Sequence, residues 1–159
     1  MTRDEKIKRI EDIEKELAEL KESIKKEDYR PWKPEVGDTY YFIASQGDAY
    51  LHNWDDDYGD KGAYAIGNVF RTDEDAKFAL EKLKVIHELK QFAEPKERAW
   101  NGKNEHVFIE WDFTLDKIDI YHNRTVKRNL IYFESIDMAE KAIAAVGKER
   151  IKKYYLEVE

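Results

Sequence analysis

The chain has 159 residues, a formal net charge of −7, and 42% hydrophobic and 13% aromatic residues, a composition that excludes an intrinsically disordered protein and suffices for one domain with its own core. It contains no cysteine, which excludes disulfides, thiolate metal ligands and cysteine nucleophiles. It has neither an apolar run of about 18 residues nor a signal peptide, so we expect a soluble, cytoplasmic protein with no membrane partner.

The negative charge is concentrated in one segment of the chain. Residues 31–75 carry 3 basic and 10 acidic side chains, and their net charge of −7 equals that of the whole chain. A nucleic-acid-binding protein normally has a basic footprint, so this distribution argues against direct nucleic-acid binding. We expect the segment to attract cationic surfaces instead.

The first 30 residues predict an amphipathic helix. Thr2 and Glu5 have the spacing of a capping box at its start. Apolar residues then follow at alternating spacings of three and four, which is the pattern of a coiled-coil seam. The predicted oligomerisation residues are Ile10, Ile13, Leu17, Leu20 and Ile24.

The charges beside this seam indicate how copies of the chain would pair. With the first seam residue at heptad position a, a parallel partner places Arg9 opposite Glu14 of the second copy and Glu16 opposite Lys21 of the second copy. Both pairs have opposite charges. We therefore predict a parallel homo-oligomer, a dimer by default, although the stripe could instead pack on its own domain.

Residues 31–159 predict an α+β domain with antiparallel strands, and its first part reads as a β-β-β-α unit. A polar loop, residues 55–62, separates the second predicted strand from the third, and Thr72 caps the predicted helix. The strands cover residues 39–43, 49–54 and 63–70, and the helix covers residues 73–93.

The pattern then recurs as a second β-β-β-α unit, with Ser135 as the helix cap and Gly147 as its end. Residues 70–80 align with residues 133–143, because each segment is a strand end, a hydroxyl cap and a helix with small residues. An internal repeat of 39–93 and 106–147 is therefore possible, in one sheet or two, as is chance similarity of two capped helices. The strands cover 106–113, 117–122 and 129–133, the helix covers 136–146, and a last helical turn or two covers 149–156.

Four short motifs lie along the chain: Trp32-x-Pro34-x-x-Gly37-x-x-Tyr40-Tyr41-x-Ile43, Gly67-Asn68-x-Phe70-x-Thr72 before a helix, Tyr132-Phe133-Glu134-Ser135, and Arg150-Ile151-Lys152-Lys153-Tyr154-Tyr155. Together they resemble a group of small phage and prophage proteins of Firmicutes, which similarly begin with a short charged helix. The resemblance implies a phage accessory protein acting in the cytoplasm of an infected or lysogenic bacterium, and it carries no activity over to any residue.

Neither metal binding nor catalysis has a matching pattern. An EF-hand loop beginning at Asp55 would need ligands where Gly59 and Ile66 stand, so a solvated acidic loop is the preferred interpretation. His106 and His122 could face each other across a hairpin, but no histidine pair has metal-ligand spacing. Nucleophile and phosphate-binding motifs are also missing from the sequence. We therefore predict no catalytic residue, no metal, no cofactor and no enzymatic activity.

Aromatic rings with amides and arginines nearby are the composition of a ligand pocket, since rings stack and amides bond to ligand edges. The rings could equally fill the core of the domain. The candidate ligand- or partner-binding residues are Trp54, Asp55, Asp56, Asp57, Tyr58, Asp60, Tyr64, Asn68, Arg71, Arg98 and Trp100.

These observations predict a phage-type, non-enzymatic binding protein that antagonises a host-defence component by binding its basic surface. One alternative is an oligomeric sponge that sequesters a small nucleotide immune signal between protomers. Another alternative is a structural or assembly protein of the phage particle.

Overall fold

The computed structural model of the protein describes residues 3–28, 32–95, 100–124 and 130–158. The chain divides into two compact units, Met1–Glu35 and Val36–Glu159. Its helices and small antiparallel sheets make it an α+β protein, as predicted from the sequence. In the described part of the chain, no helix has both the length and the apolar composition needed to cross a membrane.

The first unit contains helix α1, Arg3–Asp28. The seam residues Ile10, Ile13, Leu17 and Leu20 are between 48% and 56% exposed, so each presents about half of its surface to solvent. The predicted cap Thr2 and the side chain of Ile24 lie outside the described residues.

The second unit begins with the first hairpin, strands β1, Thr39–Ile43, and β2, Ala49–Asn53, which pair antiparallel. The predicted third strand at residues 63–70 does not form. Residues Tyr58–Ala65 form helix α2 instead, and only Phe70 pairs with β1. The reason is local: Asp57 and Asp60 form a capping box, which starts a helix inside the segment predicted to be a loop.

Helix α3, Asp73–Lys90, follows the Phe70 bridge. The predicted cap is confirmed, because the Asp75 backbone N–H donates to Thr72 Oγ1 at 3.1 Å. Three acidic residues occupy the first turn, where the helix dipole favours negative charge. The helix ends at Lys90, three residues before the predicted end.

The second hairpin consists of strands β3, His106–Asp112, and β4, Lys117–Asn123. Its predicted third strand is reduced to a single bridge between Phe133 and Val107. Part of that predicted strand, residue 129, lies outside the described residues. His106 stands opposite Asn123 rather than His122, so the two histidines do not face each other.

Helix α4, Ile136–Val146, has the predicted bounds. Ser135 caps it, and Gly147 ends it with φ of 95°, a left-handed conformation that favours glycine. A short helix α5, Lys148–Arg150, and a π-helical turn, Ile151–Tyr155, follow. Arg150 ties this end of the chain to α3, because its guanidinium donates to both Glu88 carboxylate oxygens at 2.7 and 2.9 Å.

The main core lies where α3, β3 and α4 pack together. In the ranges that the structure describes, each hairpin remains a separate two-stranded sheet. In both halves a hairpin, a bridging phenylalanine and a capped helix follow in the same order, and a duplication remains a prediction. The core residues are Val85, Leu89, Val107, Ile109, Ile131, Phe133, Ala139, Ala142, Val146 and Ile151.

Candidate functional site: an acidic surface beside β2

The segment predicted to be an acidic loop contains one buried carboxylate. Asp60 is 1% exposed and accepts hydrogen bonds from the Tyr40 hydroxyl at 2.8 Å and from the Asp55 backbone N–H at 2.7 Å. Its own backbone N–H donates to Asp57 Oδ1 at 2.8 Å, which completes the start of α2. Asp60 is therefore a structural anchor between β1 and α2, and Asp57 is a helix cap.

These contacts shift the ionisation of both partners. Burial by itself raises the pKa of Asp60, but the bonds from Tyr40 and from the backbone of Asp55 and Asp57 outweigh it and hold the pKa below its usual value. Burial and the bond to Asp60 raise the pKa of Tyr40. The pair is therefore a neutral phenol donating to an ionised carboxylate. Over the described residues, no group of three or more His, Asp or Glu side chains is arranged to hold a metal ion.

Two of the candidate ligand residues also have structural roles. Trp54 is 1% exposed and packs its ring edge-on against Tyr40 and Tyr64, with centroids 5.7 and 6.2 Å away. Asn68 Oδ1 accepts from the Ile43 N–H at 2.8 Å, and Asn68 Nδ2 donates to the Ile43 carbonyl at 2.9 Å. The Asn68 side chain thus makes the hydrogen bonds to β1 that a neighbouring strand would make. Trp54 and Asn68 are therefore engaged within the fold, which weakens the hypothesis of a nucleotide pocket that uses them.

The remaining acids of this region are exposed. Asp55, Asp56 and Asp57 lie at the N-terminus of α2, next to Tyr58, whose side chain is 93% exposed. Asp56 adopts φ of 57°, and its Oδ2 lies 3.1 Å from Lys61 Nζ in a solvent-exposed ion pair. Two more exposed acids border the first hairpin. We call these five residues the acidic surface: Asp38, Asp48, Asp55, Asp56 and Asp57.

An aromatic row crosses one face of the first hairpin. Tyr40 stands opposite His52, and Phe42 stands opposite Tyr50, with ring centroids 5.7 and 6.2 Å apart. Phe42 and His52 are also in contact, at 6.0 Å. The row becomes more exposed away from Asp60, and Tyr50 is 46% exposed. The exposed end of the row therefore presents rings along β2.

Trp100 belongs to a different group of rings, beside the second hairpin. It stacks on His106 with centroids 3.5 Å apart and planes 8° from parallel, and its edge contacts Tyr132. His106 is buried, and its Nδ1 lies 2.6 Å from Glu94 Oε1. The candidate Arg98 lies outside the described residues, whereas Arg71 is exposed.

Sequence reasoning missed the pairing of Glu94 with His106. The two residues lie on different elements, a loop after α3 and the start of β3, and no local pattern links them. It also missed that the Asp57-x-x-Asp60 spacing predicts a helix start. That second signal was present in the sequence.

Comparison with protein-family models, with curated proteins and with solved structures finds no match for the chain. The resemblance to phage proteins therefore stays a prediction from short motifs.

Proposed function

We propose that the chain is a non-enzymatic binding protein whose acidic surface engages a basic surface of another protein. One observation carries this proposal: exposed carboxylates lie at both ends of the first hairpin and at the start of α2, on the segment that also bears the exposed rings of Tyr50 and Tyr58. Aromatic rings with carboxylates are the complement of lysine and arginine side chains. In the phage setting that the motifs predict, the partner would be a basic host-defence protein.

The contacts of each acid indicate how strongly it supports this proposal. Asp60 is buried against Tyr40, and the Asp57 side chain is engaged at the start of α2. Asp48, Asp55 and Asp56 are exposed, and the side chains of Asp48 and Asp55 take part in none of the contacts described above. Asp48 and Asp55 are therefore the most direct electrostatic contacts for a cationic partner, and Asp56 would join them by exchanging Lys61 for the partner's cation.

Self-association through α1 completes the proposal. Two copies joined along the seam would cover its half-exposed Ile and Leu side chains and pair the opposite charges beside it. An oligomer presents several acidic surfaces at once, so a weak contact of each domain becomes a strong overall binding through avidity.

The seam can be tested by its effect on oligomeric state. We expect the double substitution Ile13→Lys and Leu20→Lys to convert an oligomer into a monomer, because two charges in each chain would enter the apolar interface. The control, Asp12→Asn with Glu19→Gln, changes the charge by the same amount outside the seam and should stay oligomeric. Sedimentation equilibrium measures the oligomeric state of both variants. A wild-type chain that stays monomeric at high concentration would contradict self-association through α1.

The acidic surface can be tested by neutralising three of its carboxylates. We expect Asp48→Asn, Asp55→Asn and Asp56→Asn together to weaken binding to immobilised poly-lysine and to a folded basic protein by about tenfold. The change leaves the Asp57 cap and buried Asp60 intact. Binding by the wild-type chain should also fall steeply between about 50 mM and about 300 mM salt.

The matched control neutralises three exposed acids of the second half, Asp116→Asn, Glu140→Gln and Glu149→Gln. It raises the net charge equally, so it should bind nearly as well as the wild-type chain. An equal loss in both variants would mean that overall charge, rather than this surface, attracts the partner. Surface plasmon resonance at several salt concentrations distinguishes these outcomes.

A further inference from the structure

The two hairpins differ in how their edges are protected. In the first hairpin, the outer edge of β1 is closed, because Tyr41 exchanges two backbone hydrogen bonds with Phe70, and Ile43 bonds to the Asn68 amide. Since Leu51 stands opposite Tyr41, its own N–H and C=O point away from β1. The same alternation turns the backbone groups of Ala49 and Asn53 outward.

The second hairpin has protection on both sides. Phe133 closes the edge of β3 by bonding to Val107 in both directions. On β4, the outward N–H of Ile120 donates to Asp119 Oδ1 at 2.9 Å. For β2, no such bond is present within the described residues, and its sequence has neither a charged residue nor a proline. Those are the usual means of keeping an edge from pairing.

The surroundings of the open edge indicate what it would accept. Asp48 comes directly before β2 and Asp55 comes shortly after it, so carboxylates lie at both ends of a strand about 17 Å long. Tyr50 and His52 line one face. On the other face, Leu51 is 56% exposed and shares the side of the sheet with Ile43, which lines an apolar cavity beside α3.

We propose that β2 is a docking edge for an extended, arginine- or lysine-containing segment of a partner protein, which adds to the hairpin as a third strand. The inference rests on the proposed function and deepens it by naming the form of the basic partner. The added strand would pair antiparallel, like the rest of the sheet. Its cationic side chains would lie over the aromatic row, and its apolar side chains would lie on the face of Leu51.

The probe that tests this geometry is a synthetic peptide of four Arg-Val repeats. In an antiparallel pair, residues that bond to each other have side chains on the same face, so the valine amides would bond to β2 and the arginine amides would point outward. We expect N-methylation of the valine amides to weaken binding by about tenfold or more. We expect N-methylation of the arginine amides to be tolerated, and fluorescence anisotropy with the full chain measures both.

Amide hydrogen exchange followed by NMR locates the bound peptide. The Leu51 amide should exchange more slowly in the complex, whereas the outward amide of His122 on β4 should not change. Equal binding of both methylated peptides, unchanged exchange at Leu51, or no binding of the peptide at all would each overturn the inference. Protection of Leu51 that grows with protein concentration without peptide would assign the edge to a second copy and also overturn it.

The outcomes for the two proposals stay separate. Suppose that the chain binds the folded basic protein and loses this binding when Asp48, Asp55 and Asp56 are neutralised. The proposed function would then stand even if hydrogen exchange at the Leu51 amide did not change. If the wild-type chain bound neither the folded basic protein nor the peptide, the proposed function and the inference would both be overturned.

Discussion

Replacement of Trp54 by alanine is expected to lower the free energy of unfolding by about 3–5 kcal/mol, the usual range for removing a large ring from a core. The ring is 1% exposed and packs against Tyr40 and Tyr64. Its backbone also closes the hairpin base, since its N–H donates to the Asp38 carbonyl at 2.8 Å and its carbonyl accepts from Gly37 at 3.0 Å. Urea unfolding monitored by circular dichroism measures the loss.

The control for this experiment is Tyr58→Ala. Tyr58 was a candidate binding residue together with Trp54, but it is 93% exposed, so its replacement should change the stability by less than about 0.5 kcal/mol. Tyr58→Ala should instead weaken binding of the basic protein while the chain stays fully folded. A Trp54→Ala chain as stable as the wild-type protein would return Trp54 to the list of ligand residues.

The second large effect is expected at Asp60, and it depends on pH. Because the pKa of Asp60 is lower in the folded chain than its ordinary value of 3.8, ionisation of this carboxyl favours the folded state above that value. The contribution is lost as the pH falls through the lower pKa of the folded state. Asp60→Asn should lower the melting temperature at neutral pH by about 5–10 °C, because an amide cannot accept the same set of hydrogen bonds.

The pH series gives this prediction its sign. The difference between the wild-type chain and Asp60→Asn should shrink as the pH falls from about 5 to about 2, since the wild-type carboxyl becomes protonated. Asp55→Asn, which changes an exposed carboxylate on the same segment, should follow the wild-type curve closely. A difference between the wild-type chain and Asp60→Asn that is independent of pH would mean that the ionised carboxylate is not what stabilises the fold.

Tyr40 extends the same prediction to high pH. Its pKa is raised above the ordinary 10.0 by burial and by the bond to Asp60, so the neutral phenol stabilises the folded chain at lower pH. This contribution falls as the pH rises past about 10, where the unfolded chain begins to ionise. The Tyr40→Phe variant should not show this loss of stability at alkaline pH. Its free energy of unfolding at neutral pH should be lower than that of the wild-type chain by about 1–2 kcal/mol.

These results would also divide the acidic segment by function. Asp57 and Asp60 start α2 and Asp60 joins it to β1, whereas Asp48, Asp55 and Asp56 are exposed and Asp56 pairs with Lys61. Substitution of the first pair would act through stability, and substitution of the second group would act through binding. Measuring both quantities for each variant keeps the two effects apart.

Local patterns were sufficient for the elements whose signals lie within one segment. Helix α4 has the predicted bounds because Ser135 caps it and Gly147 ends it, and both signals are adjacent to the helix. The hairpins were likewise predicted from short runs rich in β-branched and aromatic residues on either side of turns. The prediction of a third strand in each half was wrong, because Phe70 and Phe133 each form only a single bridge to a strand. A one-residue bridge to a strand distant in sequence leaves no periodic pattern in the local sequence.

The sequence by itself determined the class of the fold, the apolar spacing along α1, and the concentration of negative charge in residues 31–75, because each follows from residue type and spacing. Only the tertiary structure decided which members of that segment are surface and which are core. Trp54 and Asp55 are neighbours, yet one is buried and the other exposed, since hairpin register and the start of α2 fix which side chain turns inward. Protection of the β1 and β3 edges was likewise decided by Phe70 and Phe133, which lie far along the chain from the strands they pair with.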